Sequence, residues 1–359
     1  MKVLVLRNRF SHMGQHSGYD QLSEALSLLD TVSITSLWLS PKRPWRGVGH
    51  LLNFLKEHIQ ATPFYRAQGF QLEISAMWHA LRKPTDIIHI LYLEDTLGAL
   101  PYFRNNYFPK VKLVATAHQP ASWWKVNRLE PYWLSKLDAL IVLDSVSKTY
   151  FESYIDADKI YIIPHGVAMD FFTQPTSLSS SHRCLYVGQW LRDVVFFEEV
   201  VRRVHAEAED IFFDLVFKKQ KNDATDPVLL RLAQYANVTF HPSLTDQQLA
   251  DLYRQSSLLT LPLLDSTANN ALLEAMASGL PIISTPVGGV EEYLPATGAR
   301  LFDRHAPELF AEAILTLLKS PTERKYMGNV LRQKAQREYA WPIVAEQVKK
   351  LYTRLIQTP

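Results

Sequence analysis

Short apolar runs with strand character alternate with stretches of helical spacing along nearly the whole chain, and that alternation leaves few folds open. Lys2–Leu6, Val32–Leu39, Asp86–Leu91, Val111–Ala117, Ala139–Leu143 and Ile160–Ile163 read as strands, with helical spacing at Tyr19–Leu29, Gly49–Gln60 and Phe70–Leu81. A second series begins at Cys184–Val187 and continues through Phe212–Val216, Val238–Phe240, Leu258–Leu261 and Ile282–Ser284. Parallel strands cannot be joined by a tight turn and need a helical crossover, so this rhythm predicts parallel α/β layers. At 359 residues the chain is too long for one ordinary core and suits two domains.

The seam between the two series is Pro164-His165-Gly166-Val167, where Gly166 is expected to supply a turn with positive φ. The polar stretch Gln174–Ser181 that follows has linker composition. Near the end, a helical pattern at Thr322–Tyr339 stops before Trp341-Pro342, and a long amphipathic helix is predicted over Ile343–Ile356. Proline suits a first helical position because its missing N–H would be unpaired there anyway.

Composition excludes several classes of function. Net charge is only +2, so no overall field points to nucleic acid. Cys184 is the only cysteine, which rules out an internal disulfide and a paired-cysteine metal site and fits a reducing cytoplasm. No apolar run reaches the roughly 18–20 residues needed to span a bilayer. Six of the eight tryptophans and eight of the twelve histidines precede Asp170, so the first half is equipped to meet something amphipathic or sugar-like, or to fill a core with aromatics. Pro41-Lys-Arg-Pro-Trp45-Arg46 and Ser122-Trp-Trp-Lys125 combine cations with aromatics. That pattern can meet anionic lipid at the inner membrane face, and it equally fits a surface loop or groove rim.

The most informative segment runs from Leu261 to Gly289. A strand end opens into a polar turn, and a helix follows from about Ala268–Asn270 to Gly279, a usual helix stop. Pro281 then begins the next buried strand. This puts a helix N-terminus at the carboxyl edge of a parallel sheet, where ligands of such sheets bind and where unpaired amides and the helix dipole suit a phosphate. Glu274 lies about one turn in and could accept ribose hydroxyls, or serve only as an acid favourable near a helix start.

Taken whole, the segment resembles the donor-binding motif of retaining GT-B glycosyltransferases of family four. There a Glu, seven residues and a second Glu precede Ala-Met-Ala-x-Gly-x-Pro-Val. Glu274 and the run Glu-Ala-Met-Ala-Ser-Gly-Leu-Pro-Ile-Ile follow that pattern. Ser266 stands where the family has its first Glu, the one that touches the donor sugar; Thr267, Asn269 and Asn270 are then the nearby donors to phosphate and sugar. Leu185-Tyr-Val-Gly188-Gln189-Trp-Leu-Arg192 is similar to the family's Val-Gly-Arg segment, with Gln189 at the Arg position and Arg192 near the family's Lys. The resemblance implies that Arg192 neutralises the leaving diphosphate, with Lys218 and Lys219 as the alternative cations. Val114-Ala-Thr-Ala-His118 resembles the element whose His stabilises the donor sugar, and Ile162–Asp170 the element that enters the second domain, with His165 in place of Asn. Asn237–Ser243, with Phe240, resembles the element whose backbone meets the base, and Gly18 occupies the place of the family's Gly-rich first loop.

What this implies is an α/β fold of two Rossmann-like domains facing each other across a cleft. Residues 1–165 would form the acceptor-side domain, residues 166–340 the nucleotide-sugar domain, and 341–359 a helix crossing back to the first. The implied reaction moves a sugar from a nucleoside diphosphate sugar to a hydroxyl acceptor, of sugar or glycolipid type, with retention, no cofactor and no obligatory metal. Polysaccharide or glycoconjugate biosynthesis is the implied setting. Glu94 and Asp95 could line the acceptor side, whereas His89, inside a strand, reads as a core histidine. Two other readings stay open: a GT-B sugar-nucleotide epimerase, and a non-catalytic binding or partner subunit.

Overall fold

The computed structural model describes residues 1–8, 15–16, 18–39, 62–127, 131–176, 182–217 and 226–357, the side chains at 131 and 133 excepted. The helix expected at Gly49–Gln60, the Pro41–Arg46 motif and the cations Lys218 and Lys219 lie outside these residues. The chain divides into two compact units: one runs to Gly166 and resumes at Trp341, and the other is Val167–Ala340 together with Gln15 and His16.

The first unit is built on a parallel sheet of β1 (Lys2–Asn8), β2 (Ser33–Leu39), β3 (Ile87–Ile90), β4 (Lys112–Thr116), β5 (Ala139–Val142) and β6 (Ile160–Ile162). Its order is β2-β1-β3-β4-β5-β6. Apolar side chains on the strands, among them Leu4, Leu6, Ile88, Ile90, Leu113, Leu140 and Val142, are fully enclosed by helices. Both faces of the inner strands being covered, β3, β4 and β5 read as near-continuous apolar runs. The last helix, Trp341–Gln357, belongs to this unit and packs on the Gln21–Ser27 helix. It buries Val344, Ala345, Val348, Leu351, Tyr352 and Leu355, the spacing of one helical face. Gly166 is not at positive φ. A Cβ there would run into the Trp341 ring, so this glycine is required by packing rather than by the turn.

His89 sits in β3 with no exposure, its Nδ1 2.6 Å from the Tyr352 hydroxyl and its Nε2 2.8 Å from Thr116 Oγ1. Burial lowers its pKa to about 3, so it is a neutral core histidine with both ring nitrogens satisfied. Trp123 and Trp124 are also buried, the first against Phe64 and the second against Phe151. The Ser122–Lys125 aromatics are therefore core, and that motif presents no interfacial ring.

The second unit holds β7 (Arg183–Val187), β8 (Phe212–Val216), β9 (Val238–His241), β10 (Leu258–Leu261), β11 (Ile282–Ser284) and β12 (Ala299–Leu301) in the order β12-β11-β10-β7-β8-β9. All pairs are parallel. The three-residue β12 is too short and mixed to stand out in the sequence. Phe172, Tyr186, Phe197, Phe213 and Phe310 anchor the core. In the middle of β8, buried Asp214 accepts a bidentate pair of bonds from Arg183 at 2.7 Å and another from His241 at 2.8 Å. Burial opposes its ionisation, but these partners prevail and hold its pKa below the usual carboxylate range. The helical pattern at Thr322–Tyr339 is a Pro321–Lys334 α-helix whose last residues, Ala335–Tyr339, rewind as a π-helix.

Candidate active site

From β7 the chain progresses to β8 and β9 on one side, and from β10 to β11 and β12 on the other. The loops after β7 and β10 therefore leave neighbouring strands at the point where the order reverses, the usual ligand position in such sheets. These loops are bonded to each other. The Asp193 amide donates to Pro262 O at 3.0 Å, the Leu264 amide donates to Leu191 O at 2.9 Å, and Arg192 forms an antiparallel bridge with Leu263.

The β7 loop takes an unusual path to reach that position. Gly188 has φ +86°, and Leu191, a non-glycine residue, has φ +55°. Left-handed backbone at a bulky residue costs on the order of 1–2 kcal/mol and persists only where the surroundings enforce it. The path delivers Arg192, whose guanidinium donates to Val187 O (3.1 Å), Trp190 O (2.8 Å) and Asn269 Oδ1 (3.3 Å). A Cβ on Gly188 would stand 2.9 Å from Arg192 Nη2. Burial lowers the Arg192 pKa, and Tyr186, Tyr253 and Glu274 oppose that shift; the group stays charged.

After β10, Asn269 caps the Asn270–Ala277 helix, its Oδ1 accepting the Ala271 amide at 3.0 Å. The same oxygen receives Arg192, so Asn269 spends its acceptor on the protein. Asn270 is half-buried at the first turn. Ser266 and Thr267 are buried. The Ser266 amide donates to Asp265 at 2.7 Å, its hydroxyl donates to Thr267 O at 3.3 Å, and its carbonyl accepts from Gly289 at 2.9 Å. Gly288, at φ +52°, lies against that carbonyl where a Cβ would collide. Glu274 is 4% exposed, and the Tyr253 hydroxyl lies 2.9 Å from its Oε2. Burial and Glu274 push the Tyr253 pKa well above its usual value. Tyr253 comes from the Asp246–Gln255 helix, and nothing in the sequence marks it as Glu274's partner, because its spacing is that of any core aromatic. Gln189, next to Gly188, and Phe240, in β9 with its ring 5.7 Å from that of Phe217, are half-buried.

His118 and Gly18 belong to the first unit. Gly18 has φ +104° and precedes the Gln21–Ser27 helix. His118 follows β4; its Nε2 donates to Leu91 O at 2.8 Å and its ring packs on Tyr92 (4.6 Å) and Tyr19 (4.7 Å). Burial first, and then His165, lowers its pKa to about 3, so it is a neutral imidazole. Glu94, expected to line an acceptor, is instead buried and turned back onto the His118 and Gln119 amides. No cluster among the described residues could hold a metal ion. The chain's one Asp-x-Asp, Asp156-Ala157-Asp158, lies at the amino end of β6, with Asp156 paired to Lys159.

Residues 181–320 match the family described as Glycosyl transferases group 1. The chain is 25% identical over 320 residues to the MMP α-(1→4)-mannosyltransferase of Mycolicibacterium hassiacum, covering 82% of this chain and 76% of that one. Against other curated glycosyltransferases the match spans about half of their length or less. Sucrose-phosphate synthase from Thermosynechococcus elongatus has the same fold, with a TM-score of 0.73 at 19% identity over 100% of both chains. So has Anabaena HepE, solved with UDP and glucose, with a TM-score of 0.72 at 13% identity over 99% of this chain and 100% of that one.

This chain is a GT-B glycosyltransferase. In that light the glycosyltransferase motif residues of the second unit lie on the two bonded loops and the helix that follows: Gly188, Gln189 and Arg192 after β7, Ser266, Thr267 and Asn269 after β10, and Asn270 and Glu274 in the Asn270–Ala277 helix.

Proposed function

We propose that this glycosyltransferase moves a sugar from a nucleoside diphosphate sugar to a hydroxyl acceptor with retention, and that the donor diphosphate lies at the loops after β7 and β10. The observation that carries the reading is the Arg192 guanidinium, held by three oxygen acceptors beside the opening of the Asn270–Ala277 helix. Cleavage of the bond between the anomeric carbon and the phosphate oxygen leaves the electron pair, and growing negative charge, on the diphosphate. A cation and helix-start amides already oriented at that point stabilise the charge without reorganising; one such donor contributes ~3 kcal/mol. The acceptor oxygen forms the new bond to the anomeric carbon and releases its proton. Glu274 is assigned to the ribose hydroxyls, Ser266, Thr267 and Gln189 to the sugar and phosphates, Phe240 to the base through its backbone, and His118 and Gly18 to the donor sugar and its phosphate.

The complex of Anabaena HepE with UDP and glucose, and the mannosyltransferase relative, support a nucleoside diphosphate hexose as donor. The acceptor is a sugar or glycolipid-type hydroxyl. The setting is the cytoplasm or the inner face of a membrane; no helix among the described residues is long and apolar enough to cross one. Liposome sedimentation tests the membrane contact.

A thermal-shift screen of nucleoside diphosphate sugars tests the donor reading, because a bound ligand raises stability by mass action, ~2.7 kcal/mol at a hundred times Kd. One or two donors should raise Tm in wild type and fail to do so in Glu274→Ala. No shift with any donor would sink the proposal. Chelator should leave the shift intact, since no metal is assigned a role.

A further inference from the structure

In the first unit a buried carboxylate has one oxygen fully engaged and the other unused. Glu94 is 4% exposed; its Oε1 accepts the His118 amide at 2.5 Å and the Gln119 amide at 2.7 Å. Its Oε2 is enclosed with no hydrogen-bond partner. Such orphaned buried atoms are rare and cost about 1–3 kcal/mol, and a carboxylate costs more to bury than a neutral acceptor. The position of Glu94 gives that cost a purpose. It lies three residues past Leu91, whose carbonyl receives His118 Nε2–H. The short stretch after β3 thus grips His118 twice, the backbone through Glu94 and the ring through Leu91, while Tyr92 and Tyr19 flank the imidazole.

We propose that Glu94 is a positioning residue for His118: its carboxylate sets the His118–Gln119 turn so that the imidazole keeps its Nε2–H on Leu91. This rests on reading His118 as a site residue. The titratable groups around Glu94 are Asp95 on its own helix, Tyr92 just before it and His118 on the β4 loop, with Asp20 facing Tyr92. Burial raises the Glu94 carboxyl to about 7, with its own backbone amide first and then those of Gln119 and His118 resisting, and Asp95 adding to the rise. Above that pH the ionised oxygen grips the two amides; below it the neutral acid grips them less strongly. His118, with its pKa at about 3, stays neutral throughout this range.

The test is a long-range proton–nitrogen spectrum of histidine-labelled full-length protein, with His118 assigned by His118→Gln. The His118 nitrogens should move with one inflection near pH 7 without entering the imidazolium range. In Glu94→Gln the inflection should vanish, and in Glu94→Ala the Nε2–H tautomer should lose its dominance. A wild-type inflection of the His118 shifts persisting in Glu94→Gln across pH 5.5–8.5 overturns the proposal. If that variant does not fold, the wild-type titration decides, and a flat response overturns it. With the donor found by the screen, Glu94→Gln should lower kcat about 10- to 100-fold at constant donor KM, the loss expected from a misplaced group. It should cause no further loss in His118→Ala. Full activity of His118→Ala would remove His118 from the machinery while leaving the spectral coupling in place, so the two failures are distinguishable.

Discussion

Arg192 shows how much local structure one side chain can require. Its three acceptors come from the end of its own strand, its own loop and the cap of a helix 77 residues on. Removing it should lower turnover by roughly a hundred-fold or more while changing donor affinity less, because the charge it meets develops in the transition state. Kinetics of Arg192→Ala with the donor identified by the screen decide this; equal activity would move the role to Lys218 or Lys219. Gly188→Ala should resemble it. A Cβ at φ +86° is strained by about 1 kcal/mol or more and presses on Arg192 Nη2, so activity should fall further than Tm. Glu274→Ala should abolish nucleoside diphosphate binding in isothermal titration. It also leaves the Tyr253 hydroxyl without its carboxylate, so Glu274→Gln, which keeps an acceptor for Tyr253, is the better separation of binding from stability.

Among the elements, the Trp341–Gln357 helix is the one whose place in the chain least suggests its place in the core. It buries seven residues in the first unit, and Tyr352 supplies a hydrogen-bond partner to His89 deep in that unit's sheet. A chain ending at residue 340 should expose the apolar surface that this helix covers and lose the near-ultraviolet circular dichroism of the first unit's aromatics while the second unit persists. A subtler test is Tyr352→Phe. It deprives a buried histidine nitrogen of its partner and should cost about 1–3 kcal/mol in denaturant unfolding without affecting nucleoside diphosphate binding.

At the scale of the whole molecule the two units should respond differently to acid. The first contains His89, His118 and His165, with pKa values lowered by burial to about 3, 3 and 4. Each adds stability at neutral pH that is lost once the pH falls below the unfolded value of ~6.5, at about 1.4 kcal/mol per pH unit. Glu73 and Glu94, raised by burial to about 7, act in the opposite sense. They bind protons first in the folded state, so their effect on stability grows more favourable as the pH falls from 7 to about 4.5 and then levels off. Three groups against two leave one histidine uncompensated between pH 6.5 and 4.5, a net loss of ~1.4 kcal/mol per pH unit. Below that the histidines act alone, at ~4 kcal/mol per pH unit together until His165 levels off at about pH 4, and at ~3 kcal/mol per pH unit from there to about pH 3. Among the described residues six of the seven tryptophans lie in the first unit, Trp190 being the exception. Their fluorescence should therefore show an unfolding step below about pH 4.5 that precedes the full loss of far-ultraviolet circular dichroism. Coincident transitions would contradict the assignment.

The amino-acid sequence by itself determined the class of fold, eleven of the twelve strands and the strand–turn–helix course of the Leu261–Gly289 segment. These rest on local physics: strand and helix periodicity, glycine and proline punctuation, and the run from Asn270 to Gly279 with its helix stop are all written in neighbouring residues. What only the tertiary structure decided involves partners far apart in the chain. Nothing near Asn269 in sequence tells that its side chain faces Arg192, nothing near Glu274 that Tyr253 donates to it, and nothing near Gly166 that Trp341 packs on it. Trp123 and Trp124 look interfacial by composition and Glu94 looks accessible by its place after a strand, yet all three are buried, because burial is a property of how helices close over a sheet. Periodicity is fixed by the chain's own geometry, whereas side-chain pairing is fixed by which distant surfaces the packed layers bring within reach.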